Sequence, residues 1–526
     1  MCSSFRREHT TRRNPENQDP PDRCILGNVL LGRPMTSSAI RTSTLPASHT
    51  RYPTVRNFIG GRFSSSTARS QLEVLNPSDG SLLSQVPLSS SSDLAAAIEA
   101  AAAAFPSWST TPIKERVQIF YRYRSLLEQN LGELAGLISE EHGKIKSEAS
   151  AEIIKAIELT EFACSLPQIA TGEVLEVSRG IECRMDRYPI GVVASIAPFN
   201  FPSMVPHWTI PNAIALGNCL VLKPSEQVPL SAQRIAELLT EAGLPPGVFN
   251  VIHGGQEVVE AICDHPGIAA VSFVGSTRVA KLVYRRASAN LKRALALGGA
   301  KNHLFVLPDA NPDMAADSVL ASMSGCSGQR CMAGSVMLAV ARTDHIIARL
   351  VEQARALVPG RDIGPVISRE ALERIRRAID EAVSAGATLL LDGRHPSVPG
   401  REGGFWIGPT ILDRVRPDMA IAQEEIFGPV LVIVRTPDLD QALAIENASA
   451  YGNAASVFTE HAGAARQIAE RASAGMIGIN VGVPVPREPF SFGGWNESKF
   501  GAGDITGHGS IEFWTRSKKT TTRWSA

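Results

Sequence analysis

The sequence predicts an α/β protein in which a doubly wound, mostly parallel sheet is followed by a second α/β unit. Short apolar segments typical of buried strands alternate with segments of helical periodicity over most of the chain. Apolar strands separated by helices form parallel sheets covered on both faces, and right-handed crossovers between them give a dinucleotide-type fold. At 526 residues the chain also exceeds one ordinary domain.

The first predicted elements are helices. Ser92 is a candidate N-cap for a helix through Leu94 and Ala101, and Pro112 stands where the first turn of the next helix tolerates proline. A further helix is predicted over residues 146–169. Strands and helices then alternate, with predicted strands at 192–196, 219–222, 249–252, 270–274 and 293–297 and predicted helices at 230–239, 258–263 and 277–287.

The alternation begins again near His303, which predicts the second α/β unit. Residues 304–307 and 336–341 are apolar and short enough for buried strands, and residues 314–323 between them have helical periodicity. This order is the same as in the first unit. We therefore expect another sheet flanked by helices.

Composition excludes several classes of protein. Lys plus Arg is 52 and Asp plus Glu is 52, so the chain has no basic footprint for nucleic acid. No apolar run reaches the roughly 18–20 residues that cross a bilayer, so no membrane partner is predicted. The eight cysteines are thinly spread, unlike a disulfide scaffold, and this favours a reducing compartment with some thiols free for chemistry. No metal site is predicted.

The N-terminal segment, residues 1–54, is predicted to be a disordered leader. Residues 23–72 contain no Asp or Glu but many Arg, Ser and Thr. This composition is typical of a mitochondrial transit peptide, which predicts a mitochondrial matrix protein; an ordinary floppy leader on a cytoplasmic protein is the alternative.

Two segments carry candidate catalytic groups. Cys331 follows Gly328-Gln329-Arg330, and the fixed charge of Arg330 is expected to lower the pKa of the thiol toward a reactive thiolate. A small buried core cysteine is the alternative. Asn200, between Pro198 and Pro202, directly follows a buried strand, where its carboxamide can stabilise an oxyanion; a turn asparagine is the alternative.

Two further segments are candidates for cofactor contacts. Lys223 and Glu226 follow the strand at 219–222 and can bind ribose hydroxyls, unless the loop is merely solvated. Gly275 and Ser276 precede a helix whose N-terminus can accept phosphate, although the spacing is not that of a glycine-rich dinucleotide motif.

Together these segments resemble the aldehyde dehydrogenase superfamily, in which they occur in this order. The resemblance runs from about Val55 to Trp524 and includes Glu424-Glu425-Ile426-Phe427-Gly428-Pro429-Val430. It implies a Rossmann-type NAD domain, an α/β catalytic domain and a small oligomerisation hairpin. The cofactor contacts that it implies, with a preference for NAD over NADP through Glu226, are Phe199, Lys223, Glu226, Gly275, Ser276, Glu425 and Phe427.

The resemblance also implies a domain division and an assembly. The NAD-binding domain is expected at 55–170 and 190–300, the catalytic domain at 301–504, and the oligomerisation elements at 171–189 and 505–526. The C-terminal tail is expected to pair across subunits in a homo-oligomer, either a dimer or a tetramer.

The implied mechanism uses Cys331 as a covalent nucleophile. Its thiolate attacks the aldehyde carbon, while Asn200 and the Cys331 backbone N–H hold the oxyanion. Loss of hydride to the nicotinamide leaves a thioester on Cys331. A non-enzymatic relative that keeps the scaffold is a third possibility, which the presence of both Cys331 and Asn200 disfavours.

The release of the thioester separates two hypotheses. Hydrolytic members of the superfamily carry a glutamate base where this chain has Leu297, in Leu297-Gly298-Gly299-Ala300-Lys301. Leucine cannot accept a proton, whereas coenzyme A brings its own thiol nucleophile, so an acylating enzyme is favoured. A hydrolytic enzyme with another base, such as Glu425, is the alternative.

Wider strings, among them Ala300-Lys301-Asn302-His303 and Gly328-Gln329-Arg330-Cys331-Met332-Ala333, resemble the CoA-acylating methylmalonate-semialdehyde dehydrogenase subfamily. That resemblance implies a short carboxylated aldehyde from valine or thymine breakdown as substrate, with Arg330 binding its carboxylate.

This chain departs from the subfamily pattern near the substrate. Lys155 stands where the subfamily has a second arginine, so the charge is kept and the planar fork is lost. Arg487 and Glu488 follow Pro486 in a loop expected to line the substrate tunnel. Arg487 is either a further carboxylate contact or a member of a surface ion pair.

Overall fold

The computed structural model describes residues 50–524. The predicted leader therefore lies almost wholly outside the described residues. The body begins slightly earlier than the predicted boundary at residue 55, because the Tyr52 amide donates to the Leu83 carbonyl over 2.8 Å. The Tyr52 hydroxyl also donates to Glu140 over 2.7 Å.

Short antiparallel strands and a group of helices come first. The elements are, in chain order, β1 (Asn57–Ile59), β2 (Arg62–Ser64), β3 (Gln71–Leu75), β4 (Leu82–Pro87), α1 (Ser91–Thr110), α2 (Ile113–Gln129), α3 (Leu131–His142), α4 (Lys146–Cys164) and α5 (Leu166–Ile169). Helix α1 is capped by Ser90 rather than by Ser92, and the Asp93 carboxylate accepts the Ser90 amide over 3.0 Å. The single helix predicted over 146–169 divides at Ser165, because Pro167 has no amide hydrogen to continue the ladder.

The alternating segment follows, close to the predicted boundaries. Its elements are β5 (Glu173–Ser178), β6 (Ile181–Pro189), β7 (Val192–Ile196), α6 (Met204–Ala215), β8 (Cys219–Lys223), α7 (Leu230–Glu241), β9 (Phe249–Val251), α8 (Gln256–Asp264), β10 (Ala270–Val274), α9 (Thr277–Ala289) and β11 (Arg293–Leu297). Strands β7, β10 and β11 have the predicted bounds.

The second unit completes the chain. Its elements are β12 (Asn302–Val306), α10 (Pro312–Ser324), β13 (Gly334–Val340), α11 (Asp344–Ala356), α12 (Arg369–Ser384), β14 (Thr388–Leu391), β15 (Thr410–Asp413), α13 (Ala420–Gln423), β16 (Val430–Thr436), α14 (Leu439–Asn447), β17 (Tyr451–Gly452), β18 (Ala454–Phe458), α15 (Ala462–Arg471), β19 (Met476–Ile479), β20 (Trp495–Asn496), β21 (Lys499–Phe500), α16 (Gly509–Trp514) and β22 (Thr515–Arg523).

The first large sheet has the strand order β2-β1-β9-β8-β7-β10-β11-β21. Strands β9, β8, β7, β10 and β11 are parallel, and antiparallel strands close both edges. The order reverses between β7 and β10, which lie side by side. In open α/β sheets, ligands bind at the carboxyl ends of the strands next to such a switch point.

The second large sheet has the order β14-β15-β16-β13-β12-β18-β19 and is parallel except for the edge strand β14. The two sheets divide between Leu297 and Asn302, at the boundary that the sequence predicts. Strand β21, however, lies in the predicted second unit and pairs with β11 of the first sheet. Apolar clusters cover both faces of the second sheet.

The hairpin predicted near residues 171–189 is present as β5 and β6. Strand β22 of the C-terminal tail is antiparallel to β6 of the same chain over nine residues. Helix α16 ends next to β6, which brings the tail onto its own hairpin, and pairing of the tail across subunits stays a prediction. Among the described residues, no helix combines the length and hydrophobicity that a membrane span requires.

Candidate active site

The carboxyl ends of β7, β8 and β10 open into a pocket of about 570 Å³. A cavity of this size is within the usual range for cofactor and ligand sites. Every residue for which a catalytic or cofactor role is predicted lies along its wall: Phe199, Asn200, Lys223, Glu226, Gly275, Ser276, Cys331, Glu425 and Phe427. The structure thus brings together segments that are more than 200 residues apart in sequence.

A second pocket of about 440 Å³ also reaches Cys331. Both predicted substrate contacts, Lys155 and Arg330, line it, and much of the remaining wall is apolar. Cys331, Phe201 and Trp208 line both pockets. The thiol therefore lies where the two pockets meet, within reach of a molecule in either.

The turn before the nucleophile is held in an unusual backbone conformation. Cys326, Ser327 and Gly328 all have positive φ, at 51°, 56° and 69°. A Cβ on Gly328 would lie 2.0 Å from the Gly428 carbonyl oxygen, so only glycine fits this close approach. This contact brings the loop carrying Cys331 against the segment carrying Glu425.

Two asparagines fix the Cys331 peptide. The side-chain amides of Asn302 and Asn453 both donate to the Cys331 carbonyl, over 2.7 and 2.9 Å. These two hydrogen bonds hold the backbone around the nucleophile in one orientation. No sequence pattern indicates these roles, since Asn302 merely begins one buried strand and Asn453 merely precedes another.

The electrostatic setting of Cys331 differs from the expectation. Burial, reinforced by the charge of Glu425, raises the pKa of the Cys331 thiol to about 12. Arg330 does lower this pKa, but its effect is too small to outweigh burial and the nearby carboxylate. Arg330 therefore acts in the predicted direction, but the expectation that the thiol pKa is lowered overall was wrong, and the thiol is protonated at neutral pH.

Glu425 is the titratable carboxylate that acts on this thiol. Burial raises its pKa to about 7, against the opposing effects of the Ala300 amide and the cations Lys301 and Arg374. The Ala300 N–H donates to Glu425 over 3.0 Å. Glu425 thus changes its ionisation near neutral pH beside the predicted nucleophile.

Asn200 is positioned by a buried ion pair that the sequence analysis missed. Lys144 and Glu152 are 2.6 Å apart, and neither side chain is exposed. The Lys144 ammonium donates to the Asn200 carbonyl over 2.9 Å, and Glu152 accepts the amides of Ser203 and Met204. The pair therefore fixes both ends of the turn that carries Asn200.

The first pocket has the polar groups that a dinucleotide needs. Lys223 and Glu226 form an ion pair of 2.8 Å, and although partial desolvation would raise the pKa of the half-buried Glu226, the charge of Lys223 keeps that pKa low. Ser276 is the N-cap of α9, whose first turn contains no acidic residue, so its N-terminus favours phosphate. Ribose, phosphate and ring contacts are therefore all available along one wall.

The residues that depart from the family pattern, Lys155, Arg487 and Leu297, have defined surroundings in the structure. Lys155 lies 2.7 Å from Glu488 and 3.2 Å from Glu158. Arg487 pairs with Glu158 over 2.9 Å, and its side chain is 77% exposed. Of the two roles considered for Arg487, the structure therefore favours the surface ion pair over a contact with the substrate carboxylate. Leu297 is buried at the end of β11 and lines neither pocket.

The fold, the nucleophile loop and the paired pockets define an enzyme of the aldehyde dehydrogenase type, and comparison with known proteins agrees. The model of the aldehyde dehydrogenase family matches residues 63–520. This chain belongs to the aldehyde dehydrogenase family, and the predicted family is confirmed.

Within the family, the chain is similar to semialdehyde dehydrogenases. It is 46% identical to malonate-semialdehyde dehydrogenase 1 of Geobacillus kaustophilus over 477 residues, which cover 89% of this chain and 98% of the relative. It is 45% identical to malonate-semialdehyde dehydrogenase 2 of Bacillus cereus over 478 residues, with the same coverage.

Solved structures give the same grouping. The methylmalonate-semialdehyde dehydrogenase of Oceanimonas doudoroffii has a TM-score of 0.89 and 44% identity, covering 90% of this chain and 99% of its own. A Sinorhizobium meliloti protein assigned to the same activity, in complex with NAD, has a TM-score of 0.89 and 42% identity, covering 91% and 99%.

Proposed function

We infer that this chain catalyses the NAD-dependent oxidation of a short carboxylated aldehyde, of the malonate or methylmalonate semialdehyde type, to an acyl-CoA. The observation that carries this proposal is the position of Cys331 at the junction of two pockets, one suited to a dinucleotide and one containing cations. The names of the relatives support the substrate class.

In the first step the Cys331 thiol loses its proton and its sulfur bonds to the aldehyde carbon. Because burial and Glu425 oppose the thiolate, a proton acceptor is needed, and Glu425, with its pKa raised to about 7, is suited to that role. The oxygen becomes negative, and the Asn200 amide and Cys331 N–H are the donors proposed to hold it.

Cofactor binding is assigned to the first pocket. Phe199 and Phe427, with ring centroids 5.7 Å apart, are proposed to pack on the nicotinamide, and Lys223 and Glu226 to hold the adenosine ribose. Glu226 would repel a 2′-phosphate, which favours NAD over NADP. When bound, NAD accepts the hydride that leaves the tetrahedral carbon.

The oxidised intermediate is a thioester on Cys331. Leu297 occupies the position of the hydrolytic base and its side chain cannot accept a proton. Coenzyme A supplies a thiol that exchanges with the thioester, freeing Cys331 and giving an acyl-CoA. We therefore propose coenzyme A as the acyl acceptor.

A CoA-dependence assay tests the proposal. Purified protein is mixed with NAD and malonate semialdehyde, and NADH and products are measured with and without coenzyme A. Sustained turnover and acyl-CoA are expected only with coenzyme A, and Cys331→Ser should form no NADH in either case. Equal steady turnover without coenzyme A, giving the free acid, would contradict the proposal.

The hydrolytic alternative has one observation in its favour. Glu425 titrates near neutrality beside Cys331 and could activate water in place of the missing base. In that case the free acid forms without coenzyme A, and Glu425→Gln, which removes the proposed proton acceptor of both steps, should stop its formation.

A homo-oligomer, dimeric or tetrameric, remains our proposal for the assembly, with the hairpin β5–β6 as a contact. Its exposed apolar side chains Val174, Leu175 and Val177 support such a contact. The named relatives are bacterial, which weighs against the predicted mitochondrial location.

A further inference from the structure

The second pocket, which Lys155 and Arg330 line, contains a carboxylate where a substrate carboxylate is expected to bind. Glu488 lines this pocket together with Lys155 and Arg330. Its oxygen lies 2.7 Å from the Lys155 ammonium, and the two side chains are only 13% and 17% exposed. Lys155 is thus already engaged by an anion that belongs to the protein.

Arg330, in contrast to Lys155, is not paired with a carboxylate in the part of the chain that the structure describes. Its Nη2 donates to the carbonyls of Ala321 and Ser322, and its buried Nε has no hydrogen-bond partner. Within residues 50–524 it forms no ion pair with any carboxylate. Of the two cations expected to bind the substrate, one therefore keeps its charge available and the other is neutralised.

We propose that Glu488 is a specificity-determining residue, which weakens the preference of the pocket for carboxylated over uncharged short aldehydes by neutralising Lys155. The inference rests on the proposed function for its substrate class. A substrate carboxylate entering the pocket gains the attraction of Arg330 but meets a like charge beside Lys155. An uncharged aldehyde meets neither effect and still packs on Phe201, Trp208 and Phe492.

Glu488→Gln tests the proposal because it removes the charge and keeps the shape. The measured quantity is the ratio of kcat/KM for malonate semialdehyde to that for propanal, with coenzyme A present. We expect the ratio to rise by about tenfold, mainly through a lower KM for the charged substrate, since the Lys155 ammonium then keeps only Glu158, at 3.2 Å, as a carboxylate partner. An unchanged ratio would overturn the proposal.

Glu158→Gln is the matched control. Glu158 also contacts Lys155, over 3.2 Å, but it does not line the pocket. We expect the ratio to stay near that of the unmodified enzyme. A rise equal to that of Glu488→Gln would show that any loss of charge near Lys155 suffices, and would overturn the assignment to Glu488.

The double variant Lys155→Gln with Glu488→Gln completes a cycle. Because no free ammonium remains, most of the gain seen in Glu488→Gln should disappear. Retention of the full gain would mean that Lys155 is not involved, which contradicts the proposal. If Glu488→Gln alone does not fold, this neutral pair is compared with Lys155→Gln, in which the Glu488 carboxylate lacks its cation; the ratio should be higher in the neutral pair, and equal ratios would contradict the proposal.

Binding of malonate, measured by calorimetry, separates failure of this inference from failure of the proposed function. Glu488→Gln should bind malonate about tenfold more tightly than the unmodified protein, whether or not either turns over an aldehyde. Absence of any NADH with tighter malonate binding would reject the proposed function and support the role of Glu488. Equal affinities would reject that role.

Discussion

At the scale of single residues, the chemistry depends on how Cys331 and Glu425 share one partly buried environment. Burial raises the pKa of both groups, and the ionised Glu425 carboxylate further opposes formation of the Cys331 thiolate, as expected for like charges. A thiol in this setting is protected from indiscriminate reaction. It becomes a nucleophile only when its proton has somewhere to go.

Removing the charge of Glu425 should make Cys331 more reactive toward alkylation. Because the Glu425 carboxylate raises the pKa of the thiol, Glu425→Gln should lower that pKa and shift the pH profile of alkylation to lower pH. The rate of iodoacetamide labelling at Cys331, measured from pH 6 to pH 10 by mass spectrometry, should rise several-fold near pH 8.

Glu424→Gln is the control for this experiment. Glu424 is the exposed neighbour of Glu425 and does not line the pocket with Cys331. Its replacement should leave the profile in place. If both variants shift the profile equally, or neither does, Glu425 is not the group that controls the thiol.

At the scale of elements, the pair Lys144–Glu152 connects α4 to the turn between β7 and α6. Glu152 projects from α4 and accepts two amides at the N-terminus of α6, while Lys144 precedes α4 and holds the Asn200 carbonyl. A fully buried pair is costly to desolvate. Its position suggests that it orients the turn rather than simply adding stability.

Glu152→Gln should both destabilise the protein and slow the enzyme. Removing one partner leaves the Lys144 charge buried and uncompensated, which costs roughly 3 kcal/mol or more of unfolding free energy. Because Asn200 then loses its fixed position, kcat should fall at temperatures where the variant is still folded. Urea unfolding and steady-state kinetics measure the two effects.

Glu158→Gln, on the same helix, again serves as the comparison. Glu158 is 30% exposed, and exposed ion pairs contribute only about 0–1 kcal/mol. Its replacement should change stability little and leave kcat for propanal unaltered. A similar loss of kcat in both variants would mean that α4 as a whole, rather than the buried pair, supports Asn200.

At the scale of the whole molecule, buried histidines set the response to acid. His207 has a pKa lowered by burial to about 4, and burial likewise lowers the pKa of His253 and His303 to about 3. The pKa of buried His142 is also well below its usual range, because of burial and the charge of Lys144. These side chains stay neutral in the folded protein and take up protons on unfolding.

Stability should therefore fall as the pH drops below about 6.5. The contribution of a histidine with a depressed pKa is complete above its ordinary value of 6.5 and is lost toward its folded value. Glu141 and Glu425, whose pKa burial raises to about 7, act in the opposite direction but are fewer. The net loss between pH 7 and pH 5 is on the order of 3 kcal/mol, measured by urea unfolding.

His253→Gln should flatten this dependence by about 2 kcal/mol over the same interval, because one titrating group is removed. The exposed His345 provides a matched site, and His345→Gln should leave the slope unchanged. A pH dependence that is the same in all three proteins would show that buried histidines do not control it.

The sequence on its own determined the strands β7, β10 and β11 and the residues that follow their carboxyl ends. Apolar runs with sharp polar boundaries leave little freedom in strand bounds, and a parallel order forces the following loops to one edge. Asn200, Glu226 and Ser276 could therefore be assigned to one site before any coordinates. Cys331 and Glu425 depended on the family resemblance.

Tertiary structure alone decided how these groups are held and charged. Asn302 and Asn453 meet at the Cys331 carbonyl, Lys144 reaches Asn200, and Glu488 crosses 333 residues of sequence to pair with Lys155. No local pattern predicts such contacts. The sign of the Cys331 pKa shift was wrong for the same reason: a neighbour in sequence is visible to inspection, whereas burial and Glu425 act through space.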